Sequence, residues 1–143
     1  MHSDRHQIAL LYGKENDVKM LRKIFSCDSY VVVACDSASS LMNKLSSSTD
    51  LGKSVATHYM VLVCARKANL KKAGATDSIV GELVQLVQLC DRVIVLSDSM
   101  EESIVCAYMF AGAHDVIPIG DSACLMKARL NARFQSHDDL PVI

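Results

Sequence analysis

Nowhere in this sequence do apolar residues run on for the roughly 18 or more that a membrane span requires. The N-terminal "MHSDRHQIALLYGKEND" has no uninterrupted apolar core of signal-peptide length, so a cytoplasmic protein is the expectation. An excess of one charge is missing too: 15 Lys and Arg stand against 16 Asp and Glu, for a net charge of −1. No global field draws such a chain to nucleic acid or to an anionic membrane. Six cysteines are present, Cys27, Cys35, Cys64, Cys90, Cys106 and Cys124, but no CxxC pair. They are spread evenly and mostly inside apolar runs, which fits reduced core thiols better than a disulfide framework. His2, His6, His58, His114 and His137 are scattered without metal-ligand spacing. There is no glycine-rich phosphate cradle, and no nucleophile–base or acid pair can be assembled. An enzyme is therefore the weakest of the possible classes, and neither a metal nor a cofactor is expected.

What the sequence does contain is apolar residues in two alternating rhythms. With 143 residues, 50% hydrophobic and 22% charged, it suits one domain that buries most of its apolar surface. "QIALLY", "YVVVAC", "YMVLVC", "RVIVLS" and "DVIPI" are short, β-branched and continuously apolar, as strands covered on both faces are. Helix-like segments lie between them. "NDVKMLRKIF" puts Val18, Leu21 and Phe25 on one stripe after an Asn/Asp cap, and "DSASSLMNKL" puts Leu41 and Leu45 four apart. "TDSIVGELVQLVQL" spreads Ile79, Val80, Leu83, Val84, Leu86 and Val87 over a wide arc, and "DSACLMKARLNARF" closes the series. Alternation of this kind predicts a parallel sheet with helices on both faces. "SSSTDLGKSVATH" and the basic "ARKANLKKAGATD" are expected loops, and "SHDDLPVI" has turn chemistry without periodicity. The expected division is a domain over 1–135 and a tail or the start of a linker over 136–143.

The order of the five strand–helix units, the hydroxyl ending "VIVLS" and the Ala-Gly-Ala of "AYMFAGAHDVI" together resemble the receiver domain of bacterial response regulators, from about Gln7 to Phe134. The resemblance implies a flavodoxin-like (βα)5 three-layer sandwich around a five-stranded parallel sheet. It also implies phosphoryl transfer to an aspartate ending the third strand, beside magnesium held by two acids after the first. A hydroxyl, an aromatic that changes rotamer and a lysine complete the family's switch.

Matched position by position, most of that chemistry is missing. The acid pair falls on "YGK", with Tyr12, Gly13 or Lys14 in its place and only Glu15 acidic nearby. The aspartate falls on Cys64, and a thiol is a poor partner for magnesium, which takes oxygen ligands. Ser97 matches the hydroxyl, but the aromatic falls on Val116 and the lysine and following proline on Ile119 and Gly120. The expected pocket is also basic, with Lys14, Arg66, Lys67, Lys71 and Lys72 after the first and third strands. Strand carboxyl ends and helix N-termini suit anions, so a sensor of a small anion is the alternative function. Cys64, between Lys14 and Arg66, also admits a redox reading.

The fourth helix, "MEESIVCAYMFAGA", is apolar nearly all round. An inward stripe of Ser103, Cys106, Ala107 and Phe110 would leave Val105, Tyr108 and Met109 for a partner. In receivers this helix, the fifth strand and the fifth helix form the output face. Val105, Tyr108, Met109, Val116 and Ile119, rimmed by Arg129 and Arg133, are accordingly the expected interface. Glu82, on the third helix, is expected on free surface away from it. The reading that follows is a pseudo-receiver: a homodimeric, phosphorylation-independent signalling domain acting by protein contact. It would serve a transcriptional regulator or a two-component-like pathway, with a DNA-binding or ATPase output domain and no membrane or nucleic-acid contact of its own.

Overall fold

Strand and helix alternate five times along the residues that the computed structural model describes, 6–25, 30–49, 59–65, 75–90, 92–119 and 123–138. The strands are β1 (His6–Leu11), β2 (Tyr30–Cys35), β3 (Tyr59–Ala65), β4 (Val93–Ser97) and β5 (Asp115–Pro118). The helices are α1 (Glu15–Ile24), α2 (Ala38–Thr49), α3 (Ala75–Leu89), α4 (Glu102–Phe110) and α5 (Ala123–Asp138). All strand pairs are parallel, in the order β2-β1-β3-β4-β5.

Strand side chains alternate between two buried layers, because successive Cβ atoms point to opposite faces. Ile8, Leu10, Met60, Leu62, Cys64, Ile94, Leu96 and Ile117 meet Leu21 and Ile24 of α1 and Met126 and Leu130 of α5. Ala9, Leu11, Val61, Val63, Val93, Val95 and Val116 meet Leu41 and Leu45 of α2, Leu83 and Leu86 of α3, and Tyr108 of α4. The sheet is therefore the middle of three layers, and the continuous apolar strands are explained by cover on both sides.

Four sequence expectations need correction. First, α1 starts at Glu15 with Lys14 as N-cap, ahead of the Asn16–Asp17 pair expected to cap it. Asp17 caps from inside instead, accepting the Lys14 backbone N–H at 2.7 Å. Second, α2 continues through Ser46–Thr49 into the expected loop, since nothing before Gly52 breaks a helix. Third, α5 runs to Asp138, into the stretch read as turn chemistry, because no Gly or Pro intervenes before Pro141. Residues 139–143 lie outside the described residues. Fourth, α4 is rotated. Ser103, Cys106 and Phe110, expected inside, are exposed, Ala107 is half-buried, and Tyr108 is buried. A helix apolar on every side has no periodicity to choose a face, so the packing of its largest side chain decides.

The Ala-Gly-Ala motif has a local cause. After Ala111 ends α4, Gly112 takes φ 112°, in the left-handed region that side chains disfavour. A Cβ there would stand 3.0 Å from Val87 Cγ2 on α3, and Ala113 turns inward at 4% exposure. His114 then secures the start of β5: its N–H donates to Val93 O at 2.8 Å, and its Nδ1 accepts the Val93 N–H at 3.1 Å.

Candidate functional site

The strand order reverses between β1 and its two neighbours, β2 and β3, and the crevice at the carboxyl ends of such strands is where open α/β sheets bind ligands. Here the chain's own side chains crowd that edge. Tyr12 follows β1 with φ 64°, and its N–H donates to Cys35 O at 3.2 Å. Its ring packs against both core layers. Its hydroxyl donates to Glu82 Oε1 and Oε2 at 2.7 and 2.8 Å, across 70 residues of sequence. Glu82 is thus tied down rather than lying on the free surface expected for it. Burial first, and then the Glu82 carboxylate, push the Tyr12 phenol up to about 12.

The next residues add to the crowding. A Cβ at Gly13 would overlap the side chain of Leu10, which is 0% exposed. Lys14 and Glu15 are exposed, and Glu15 pairs with Lys19 at 3.6 Å on the α1 surface, an exposed pair of small energetic value. Asp17, expected only as part of a helix cap, is a buried acid here, at 6% exposure.

At β3 the register places Cys64 opposite Leu96 and Ala65 opposite Ser97. Cys64 is 1% exposed, inside the layer formed with α1 and α5. A thiol so enclosed is out of reach of oxidants, which argues against the redox reading. Ser97 is fully buried, and its hydroxyl is committed locally: it donates to Ser99 O at 2.7 Å and accepts the Ser99 N–H at 3.1 Å. Ser99 Oγ accepts the Glu101 N–H at 3.4 Å, so the two serines guide the chain into α4. Among the described residues no group of three His, Cys, Asp or Glu is placed to hold a metal ion. Of the five basic residues of the anion reading, Lys14 alone is described; Arg66, Lys67, Lys71 and Lys72 lie outside the described residues.

The expected interface is also redrawn. Tyr108 is 0% and Val116 5% exposed, so both belong to the core. Val105 and Ile119 are half-buried against the two layers, Arg129 is exposed, and the side chain of Arg133 lies outside the described residues. Met109 remains, 45% exposed, and Phe110 joins it at 90%, the most exposed of the large apolar side chains described. Cys106 lies between them on the outer side of α4, exposed like Cys124 and unlike buried Cys35, Cys64 and Cys90. Most of the described cysteines are thus core thiols, as expected, and these two are not. Burial pushes the Cys35 thiol up, as befits an inert core cysteine.

The Tyr12–Glu82 contact has a pH signature. A phenol raised from 10.0 to about 12 by folding contributes stability that is fully present below pH 10 and lost as pH rises through 12. Tyr12→Phe is expected to cost about 1 kcal/mol at neutral pH. It should also flatten the alkaline loss, as urea midpoints measured across a pH series will report. An unchanged alkaline limb in Tyr12→Phe would assign the loss to other groups.

These features define a doubly wound, flavodoxin-like α/β domain with three helices on one face and two on the other. More particularly, the fold is that of response-regulator receivers, as solved structures bear out. A CheY-like protein, TadZ, from Pseudomonas aeruginosa superposes with a TM-score of 0.67 at 18% identity, over 90% of this chain and 99% of that one. The signal receiver domain of an HD domain-containing protein from Pseudomonas fluorescens gives 0.70 at 13% identity, over 100% and 97%. A response regulator receiver protein from Pseudoalteromonas atlantica gives 0.65 at 18% identity, over 92% and 98%. At these identities the likeness is one of fold. No protein-family model matches the sequence, and no curated protein matches it.

Proposed function

We propose that this chain is a signalling domain of two-component type that works by protein contact without phosphorylation or metal, and is not an enzyme. The observation that carries the reading is the crowding at the carboxyl ends of β1 and β4 among the described residues. Tyr12 is bound to Glu82 there, Gly13 has no room for a side chain, and Ser97 spends its hydroxyl on Ser99. A phosphoryl group and its cation would need that space and those ligands.

Signal output then passes through the outer side of α4, where Cys106, Met109 and Phe110 stand exposed. A second copy of the chain is the proposed occupant. Glu101 and Glu102 are exposed at the start of α4, while Lys127 and Arg129 are exposed on α5, so a two-fold contact can set acids against bases around an apolar centre. The regulated element is an attached output domain, DNA-binding or ATPase, or a separate cytoplasmic protein. A small anion bound over the basic loops is the second reading; four of its five residues lie outside those described, so no described contact favours it.

Acetyl phosphate or beryllofluoride with magnesium tests the first reading. Intact mass, amide chemical shifts near Tyr12 and Ser97, and sedimentation are all expected to stay unchanged. A phosphoryl adduct, or a magnesium-dependent shift at Gly13 or Ala65, would overturn it.

A further inference from the structure

Tyr108 combines three properties that rarely meet in one side chain. It is 0% exposed, the largest side chain that α4 brings into the layer containing Val93, Val95, Ala113 and Val116. Its hydroxyl is buried and has no hydrogen-bond partner among the described residues. In the same layer lies a valine, Val116, at the position where the receiver resemblance implies a mobile aromatic. Burial and, secondarily, the charge of Asp98 push the phenol up.

A buried hydroxyl without a partner costs free energy, because its desolvation is not offset by a hydrogen bond. What keeps the residue inside is therefore the ring. An aromatic on a strand can swing outward by changing χ1 while the neighbouring helix stays in place. An aromatic on the inner face of a helix cannot leave the core unless the helix leaves with it, because its Cβ direction is set by the helix.

From this arrangement we infer that Tyr108 is a fixed anchor that holds α4 in one position on β4 and β5, replacing a movable strand aromatic by a permanent helix-borne one. α4 then has a single resting place, and its outer stripe of Cys106, Met109 and Phe110 is presented continuously. That last consequence rests on the contact-signalling reading above; the anchoring itself rests on packing alone.

Amide hydrogen exchange on the whole chain tests it, comparing α4 with α1, which lies on the opposite face of the sheet. In Tyr108→Ala the α4 amides are expected to exchange about a hundredfold faster, with α1 changed only a few-fold, because the loss of a buried ring opens the local unit first. Equal acceleration in α1 and α4 would make Tyr108 an ordinary core residue and overturn the anchor. Tyr108→Phe should protect α4 at least as well as the native residue; if it loosened α4 as Ala does, the hydroxyl rather than the ring would be the anchor. In the double variant Tyr108→Ala, Val116→Tyr the aromatic returns to the strand, and α4 should stay fast; full protection there would show that its placement is irrelevant. Should Tyr108→Ala fail to fold, Tyr108→Leu is read in the same way. Sedimentation of the native chain separates the two readings: a monomer with a slow-exchanging α4 removes the dimer and leaves the anchor standing.

Discussion

Gly13→Asp, which puts an acid where the receiver resemblance implies one, is expected to cost about 1–3 kcal/mol of stability and to bring no magnesium binding. The cost comes from Leu10. Any Cβ at position 13 overlaps that side chain, which is fully buried beside α1 and has no free volume into which to retreat. The new carboxylate would also stand near Asp17, a buried acid already engaged with the Lys14 N–H, and like charges in such a place repel. Gly13→Ala carries no charge and should bear most of the same cost, which separates overlap from electrostatics. Gly81→Ala on α3 is the control: nothing lies within 4 Å of a Cβ there, so helix propensity should make it neutral or stabilising by up to about 1 kcal/mol. Urea unfolding and a magnesium titration read by amide shifts decide the matter. A Gly13→Asp variant as stable as the native chain, with metal-dependent shifts, would mean that the edge is closed by residue identity alone and can be reopened.

The second large effect is on association. Phe110→Lys is expected to weaken self-association by about a hundredfold or more, because a lysine in an apolar contact must lose its hydration without a partner. Folding stability should hardly change. Phe110 is 90% exposed within one chain, and a cation at the last turn of α4 suits the helix dipole. Met109→Asp should act in the same direction. Val84→Lys on α3 is the matching control, since Val84 is also exposed, at 42%, but lies on another helix. Glu82 is unsuitable for that purpose because it holds the Tyr12 hydroxyl. Sedimentation equilibrium reads the result: a native chain that is monomeric at high micromolar concentration, or a Phe110→Lys variant that remains dimeric, removes this face from the proposal.

How far the site could be read in advance depended on the range of the interaction. That Gly13, Cys64, Val116 and Ile119 fall where the receiver resemblance implies functional groups is a matter of order along the chain, so that expectation could be formed from the sequence. What occupies the space was not. The Tyr12–Glu82 bond joins residues 70 apart, and neither residue type is unusual in its own segment. The exposed apolar patch on α4 was legible as an excess of apolar residues, but of its members only Met109 was named in advance. Val105, Met109, Tyr108 and Phe110 all satisfy a helical pattern, and the choice among them was made by which side chain the sheet could accept.

The sequence by itself determined the class of the domain. Five short apolar strands alternating with helices can bury both faces of a sheet in few ways, and a parallel three-layer sandwich is the one that short right-handed crossovers allow. It also determined the turn after α4, since Gly112 is the residue type that tolerates φ 112° beside Val87. Only the tertiary structure decided the rotation of α4, the enclosure of Cys64 and Tyr108, and the bond that seals the β1 edge. Those outcomes turn on the volume left between elements distant in sequence, and side-chain fit in a close-packed interior is a property of the assembled layers rather than of any one segment.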